Sequence, residues 1–448
     1  MSQQKVPFEP IVPGKVGMYV CGPTTYAPAH IGHAYSAIAF DTVRRCLEFL
    51  GWDVTYVRNV TDIDDKIINR ARETGEDPFA MSARFAADYN ADMARFGVRA
   101  PTIEPKVTGH IPQIIGVIEK LIANGHAYAV DGDVYYEVRT FAPYGRLSKQ
   151  NIADLEDGAR ISVDERKRAP ADFALWKSAK PDEPHWPSLF GPGRPGWHIE
   201  CSAMACRELG APFDIHGGGW DLQFPHHENE IAQSEGALGR PFVNYWVHSA
   251  FLNIDHEKMS KSLGNFHTTR EVLDKLDPAQ GGEQLRFFLM RAHYRSTLNF
   301  TWDSLEDAGN ALRGFYATLR EVAPAPVAAI DWSQPFAARF REAMDDDFDT
   351  PIAFAVLHEL RGEVNRSRSP ELSGLLRALG GTLGLLQHDP AAFLQGGMQV
   401  DVQALIDERN AAKKAKDYPR ADEIRRSLEA AGIALEDKPG GITEWRKK

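Results

Sequence analysis

The stretch Met18-Tyr-Val-Cys-Gly-Pro-Thr-Thr-Tyr-Ala-Pro-Ala-His-Ile-Gly-His-Ala-Tyr-Ser-Ala-Ile-Ala-Phe-Asp-Thr-Val-Arg-Arg45 decides how the rest of the chain is read. A short apolar run ends at Cys21 and is closed by Gly22-Pro23, which reads as a buried strand. His30-Ile31-Gly32-His33 then opens a segment, residues 33 to 50, whose Ala37, Ile38, Val43, Leu47 and Leu50 recur at helical spacing. The following GWDVTYVRNVTDIDDKIINRA repeats the pattern as a turn, a second strand and a second helix. Strand, helix, strand, helix predicts a parallel sheet with right-handed crossovers. Ligands of such sheets sit beyond the carboxyl ends of the strands, where Cys21, the two imidazoles and Thr61-Asp62 all fall.

Outward from this corner the texture changes. From about 108 to 190, short β-like pieces (AYAVDGDVYYEV) alternate with Pro- and charge-rich loops, which reads as an insertion into the sheet domain. The core texture resumes with the helix GWHIECSAMACRELG. A strand, a glycine-rich turn and a further helix follow in FDIHGGGWDLQFPHHENEIAQSEGALG. HSAFLNIDHEKMSKSLGNF reads as a loop. From 304 the chain is strongly helical, with Asp349 or Thr350 as an N-cap and Pro351 at the first helical position of one segment. The expected architecture is α/β: a Rossmann-like parallel-sheet domain carrying an insertion, then an α-helical bundle and a small C-terminal mixed α/β domain. The expected boundaries are 1–107 and 191–250 for the two halves of the sheet domain, 108–190 for the insertion, 251–303 for the KMSKS region, 304–395 for the bundle and 400–448 for the last domain.

The 448 residues carry 43% hydrophobic and 25% charged residues, a soluble globular balance. No apolar run approaches the roughly 20 residues of a membrane helix. The opening MSQQKVPFEPIVPGK lacks a basic-then-apolar signal, so a cytoplasmic protein is expected. Net charge is −11, which argues against blanket nucleic-acid binding. The last segment is nevertheless the most basic, with Arg409, Lys413, Lys414, Lys416, Arg420, Arg425, Arg426, Lys438, Arg446, Lys447 and Lys448. The four cysteines, Cys21, Cys46, Cys201 and Cys206, read as thiols or metal ligands rather than disulfides.

Each chemical motif has a plain alternative. His30 and His33, at a helix start where unpaired N–H groups and the helix dipole favour anions, suit a polyphosphate, or they simply cap the helix. Lys258 and Lys261, three apart in KMSKS, suit a departing pyrophosphate, or form a solvated basic loop. His226 and Glu230 are four apart and share a helix face, with His227 and Glu228 directed elsewhere. With Cys21 and Cys201 they would make a mixed zinc site, although HxxxE is more often a surface pair. Asp62, Asp64 and Asp65 suit Mg²⁺ or, more economically, helix capping. Trp197 lines a pocket or fills a core. Cys46 and Cys206 read as small core residues.

In order and on these elements, HIGH at 30–33 and KMSKS at 258–262 resemble the paired signatures of class I aminoacyl-tRNA synthetases. YVCGPTTYAPAHIGHAYS, NVTDIDDKII, GWHIECSAM, DIHGGGWDLQFPHHENEIAQSE, KMSKSLGNF, DDDFDTPIA and RADEIRRSLEAAGIALEDKPGGITEW are similar to the cysteinyl-tRNA synthetase family, across nearly the whole chain. The resemblance implies ATP-dependent activation of L-cysteine and its transfer to the 3′ end of tRNA(Cys). It implies a zinc ion at Cys21, Cys201, His226 and Glu230, and Mg²⁺ with the ATP. It further implies ATP contacts at His30, Gly32, His33, Lys258 and Lys261, and a cysteine pocket bordered by Cys21, Thr61 and Trp197. A soft metal that takes the substrate thiol would separate cysteine from serine without an editing domain. The bundle and the basic tail would bind the tRNA, with Trp445 either stacking on an unpaired base or plugging the small domain. A monomer is the family expectation. A related cysteine ligase of mycothiol synthesis keeps the catalytic half and lacks the last domain. A non-catalytic RNA-binding descendant would show decay of the signatures, which are intact here.

Overall fold

The computed structural model describes residues 4–151, 166–258, 265–396, 402–430, 432–438 and 442–447. The chain divides into two compact units, 1–269 with 292–299, and 270–291 with 300–448.

The first unit is built on a parallel sheet of β1 (Lys15–Val20), β2 (Asp53–Arg58), β7 (Phe213–Gly219) and β8 (Val243–Ser249), in the order β2-β1-β7-β8. Helix α1 (Ile31–Phe49) crosses from β1 to β2, and α6 (Glu228–Leu238) from β7 to β8. The two crossovers leave in opposite directions, so the switch point lies between β1 and β7, where β1 pairs in parallel with β7 from Met18↔Ile215 to Val20↔Gly217. The glycine-rich segment expected as a turn is strand: Gly217 and Gly218 are extended and buried. A Cβ on Gly217 would lie 2.3 Å from the Phe40 ring of α1, and one on Gly218 would lie 2.8 Å from the His227 ring. Glycine there is a packing requirement rather than a turn signal.

After β2 come α2 (Asp65–Thr74), α3 (Pro78–Arg95) and α4 (Ile111–Ala123). Strands β3 (Ala127–Val130), β4 (Asp133–Tyr136), β5 (Phe173–Ser178) and β6 (Gly193–Pro195) form a second, antiparallel sheet that leads directly into α5 (Trp197–Glu208). One apolar core runs through both sheets. Ile111, Ile114, Ile118 and Leu121 of α4 meet Ile199, Ala203 and Met204 of α5 and Ile231 and Ala232 of α6, and Tyr136, Leu175 and Trp176 close it from the antiparallel side. The antiparallel sheet and α4 are therefore bound to the parallel-sheet layer by buried apolar area. The segment read as a loop after β8 starts as a hairpin, β9 (Leu252–Ile254) and β10 (Glu257–Lys258), turning at Asp255-His256, both with positive φ.

The second unit is helical. Helices α7 (Thr269–Asp274) and α8 (Gly281–Leu289) come first. The chain then returns to the first unit, where β11 (Leu298–Phe300) joins the sheet of β9 and β10, before α9 (Trp302–Glu321), α10 (Pro335–Asp345), α11 (Thr350–Ser367), α12 (Pro370–Thr382) and α13 (Pro390–Gln395) follow in order. Asp349 caps α11, accepting from the Ile352 amide at 3.0 Å. Thr350 takes the first helical position, so Pro351 stands at the second rather than the first. The end of the chain forms α14 (Val402–Lys414), α15 (Tyr418–Ala430) and the antiparallel pair β12 (Ile433–Lys438) and β13 (Ile442–Lys447). Trp445 stands opposite Leu435, half-buried against Val402, Ile406, Ile424, Leu428 and Ile433, so of the two roles left open for it the apolar plug is the one its packing supports. Arg409, one of the basic residues of the last segment, is buried.

Gly217→Ala is expected to lower stability by about 1–3 kcal/mol, because the extra methyl is forced into Phe40 in a packed interior. Thermal or urea unfolding of the purified variant measures it.

Candidate active site and metal centre

The site gathers at the switch point. Cys21 is the first residue after β1, and the buried Cys201 lies one turn inside α5. Their sulfurs are 3.6 Å apart, far beyond the roughly 2.05 Å of a disulfide. Two ligand sulfurs about 2.3 Å from a tetrahedral zinc would stand about 3.8 Å apart. Glu230 Oε1 lies 3.5 Å from Cys21 Sγ and 3.1 Å from His226 Nε2. The four donors Cys21, Cys201, His226 and Glu230 all lie within 4.8 Å of one another, three of them buried. His226 is not on the regular helix as HxxxE supposed. It sits in the π-helical turn Gln223–His227 that precedes α6, and that turn delivers its ring to Glu230.

His227 does not point elsewhere. The π turn brings it into the same centre, with Nε2 3.4 Å from Cys21 Sγ and Nδ1 2.8 Å from His248 Nε2. Cys21, His216, His227 and Glu230 form a second grouping that meets the same distance condition. Glu228, by contrast, does point away. Its buried carboxylate accepts from the amides of Gly145, Leu147 and Ser148 and so holds a loop of the insertion.

The electrostatics suit a cation. Burial opposes ionisation of Glu230, but the His216 and His226 imidazoles win and hold its carboxyl down at about 2. Burial likewise opposes a charged His226, yet the Glu230 carboxylate and Cys201 raise it to about 10. The hydrogen bond from Cys21 brings Cys201 down to about 6 against burial, whereas burial pushes the Cys21 thiol up. Two sulfurs, an imidazole and a carboxylate are borderline-soft donors matched to zinc, and loading such an ion would release the protons on His226 and on a thiol. His216 Nε2, 2.9 Å from Glu230 Oε2, orients that carboxylate from behind.

The phosphate candidates are also built. His30 is the N-cap of α1, and its Nδ1 accepts from the Gly32 amide at 3.1 Å. His33 Nδ1 accepts from the His30 amide at 3.2 Å, a reciprocal capping box. The capping alternative is therefore real, but it does not compete with phosphate binding. With both Nδ1 atoms accepting backbone protons, each neutral ring must carry its own proton on Nε2. Burial and the neighbouring His30 push His33 down, keeping it neutral. The rings stack at 3.7 Å. Two Nε2–H donors thus stand at the positive end of a 19-residue helix. Gly32 supplies one of the first-turn amides. Lys258 closes β10, and Lys261 lies outside the described residues.

Trp197 opens α5 half-buried, its ring 4.4 Å from that of His226. Thr61 is buried beyond β2 and donates to Glu200 Oε2 at 3.1 Å. Asp64 caps α2 by accepting from the Lys66 amide, Asp62 accepts from Thr108 N and Oγ1, and Asp65 pairs with Lys177 and Arg194. All three aspartates have structural partners, but the capping reading holds for Asp64 alone: Asp62 ties to Thr108 and Asp65 forms ion pairs. Cys46 is buried in α1 and Cys206 half-buried in α5. Sequence reasoning missed Asn59, Glu200, His216 and His248. Glu200 had a signal, three residues after Trp197 and next to Cys201, on the same helical face.

Residues 7–310 match the family described as tRNA synthetases class I (C) catalytic domain, 339–387 the DALR domain and 395–446 the cysteinyl-tRNA ligase anticodon binding domain. The chain is 57% identical to the cysteine–tRNA ligase of Methylobacillus flagellatus over 453 residues, covering all of this chain and 98% of that one. It is 54% identical to that of Ralstonia nicotianae over 459 residues, again covering all of this chain and 98% of the relative. In fold it is similar to Mycobacterium tuberculosis methionyl-tRNA synthetase in complex with methionyl-adenylate, with a TM-score of 0.59 at 15% identity, covering 82% of this chain and 89% of that structure. A catalytic-domain match over most of the chain and full-length relatives above half identity establish that this chain belongs to the cysteine–tRNA ligase family of class I aminoacyl-tRNA synthetases.

Proposed function

We propose that the chain activates L-cysteine with ATP and transfers it to the 3′ end of tRNA(Cys). The observation that carries this reading is the pair of cysteine sulfurs 3.6 Å apart, joined by His226 and Glu230, at the sheet's switch point beside a histidine-capped helix. Cys21, Cys201, His226 and Glu230 would hold Zn²⁺, which when bound supplies a soft Lewis acid that favours a thiolate over a hydroxyl. Thr61 and Trp197 border the amino acid.

The carboxylate of cysteine attacks the α-phosphate of ATP, and pyrophosphate departs. His30 and His33 donate from Nε2 to the phosphate oxygens, and the α1 amides add the dipole of the helix. Neutral donors of this kind gain most as charge grows on the leaving group. Lys258 and Lys261 would neutralise the same charge, with Mg²⁺ accompanying the nucleotide. A hydroxyl of the terminal ribose then attacks the adenylate carbonyl and AMP leaves. Positioning and electrostatics suffice, with no covalent enzyme intermediate. The bundle and the last domain, 395–446, would receive the tRNA, and a cytoplasmic monomer fits this role.

Aminoacylation of bacterial tRNA with each amino acid offered separately tests the reading: charging with cysteine and not serine is expected, and charging with neither would overturn it. Cys201→Ala is expected to lose stoichiometric zinc by elemental analysis, and His216→Ala to weaken zinc binding about 10- to 100-fold through loss of the partner that orients Glu230. His33→Ala is expected to lower kcat for cysteine-dependent ATP–pyrophosphate exchange about 10²- to 10³-fold, the usual cost of removing a donor to developing charge. Its KM for cysteine should be unchanged.

A further inference from the structure

An amino acid brings an ammonium group into its pocket, and a buried ammonium needs an acceptor with negative charge. The carboxyls around this site are nearly all committed. Asp62 is used by Thr108, Asp64 by the start of α2, Asp65 by Lys177 and Arg194, Glu228 by three amides of the insertion, and Glu230 by the metal cluster. Glu200 is the exception. It is 1% exposed, lies on α5 between Trp197 and Cys201, and among the described residues it has a hydrogen bond from Thr61 and no cationic partner.

The surrounding contacts tie it to the cluster. The Gly22 amide donates to Asn59 Oδ1 at 2.8 Å, Asn59 Nδ2 donates to Thr61 Oγ1 at 3.3 Å, and Thr61 Oγ1 donates to Glu200 Oε2 at 3.1 Å. This chain runs from the residue after Cys21 to the residue before Cys201. The approach is close: a Cβ on Gly22 would fall 1.7 Å from the Asn59 carbonyl oxygen. A hydroxyl has one donor and two acceptor lone pairs. Thr61 spends its proton on Glu200 and one lone pair on Asn59, which leaves one lone pair. In L-cysteine the nitrogen lies within about 4 Å of the sulfur in any staggered rotamer, so a thiol held at the cluster brings its ammonium close to that cluster.

We propose that Glu200 is the counter-charge for the α-ammonium of the bound amino acid, with the remaining lone pair of Thr61 accepting one of its hydrogen bonds. This rests on cysteine as the substrate. Thiol recognition and ammonium recognition would then sit on adjacent residues of one helix, Cys201 and Glu200, and the substrate carboxylate would be left for ATP.

The test is Glu200→Gln, which keeps an acceptor for Thr61 and removes the charge. Wild-type ATP–pyrophosphate exchange with cysteine is measured first, and its absence would overturn the cysteine reading and this proposal together. Two inhibitors then separate the groups: cysteamine carries thiol and ammonium, and 3-mercaptopropionate carries thiol and carboxylate. In the zinc-replete variant, KM for cysteine and Ki for cysteamine are expected to rise about 10- to 100-fold, as for loss of a charged hydrogen bond. Ki for 3-mercaptopropionate should change less than about twofold on the same scale. Equal weakening of both inhibitors, or of neither, would overturn the proposal. Glu200→Asp, which draws the charge back by one methylene, carries the same selective test should Glu200→Gln not fold.

Discussion

A carboxylate with no exposure to water at the end of a parallel sheet is the constraint on which this site depends. Glu230 stays charged only because His216 and His226 face it, and each of these needs its own placement. His216 comes from the interior of β7, and His226 from the π turn before α6. Cys21, from the end of β1, completes the contact with its sulfur 3.5 Å away. The groups that stabilise one buried charge are thereby the groups that offer a soft cation its ligands. Taking one away strands the rest, because an unpaired buried charge costs several kcal/mol.

The same economy governs the phosphate side. His30 and His33 are spent on capping through Nδ1, and that is what sets their tautomer. A histidine that caps with one nitrogen is an oriented donor through the other, so stability of α1 and the orientation of two Nε2 donors are one arrangement. The two halves of the site then lie on either side of a short loop. Cys21 precedes it and His30 ends it, while Thr61 pins it from β2 through the Pro23 carbonyl and the Thr25 amide.

Residue pattern alone was enough for several features. The alternation of apolar runs with Gly-Pro corners marked a parallel sheet, and HIGH and KMSKS together marked the family. Asp349 and Pro351 announced α11, because capping chemistry is local. Cys21, Cys201, His226 and Glu230 were nameable from resemblance, yet their spacing of up to 209 residues gave no compact motif from which to derive a site.

What the sequence by itself determined is therefore what local chemistry controls: strand and helix order, helix starts, the acidic body with a basic tail, and the identity of the signatures. Tertiary structure decided the rest. The π turn that brings His227 into the candidate metal cluster arises from a kinked junction that an ideal 3.6-residue period cannot express. The strand character of Gly217 and Gly218 comes from Phe40 and His227 packing against them. The burial of Arg409 and the lodging of Trp445 depend on how two helices and a hairpin close. The commitment of every nearby carboxyl except Glu200 depends on contacts such as that of Asp65 with Arg194, 129 residues apart. Such contacts form only when the chain folds back on itself, so their partners cannot be read from neighbours in the sequence.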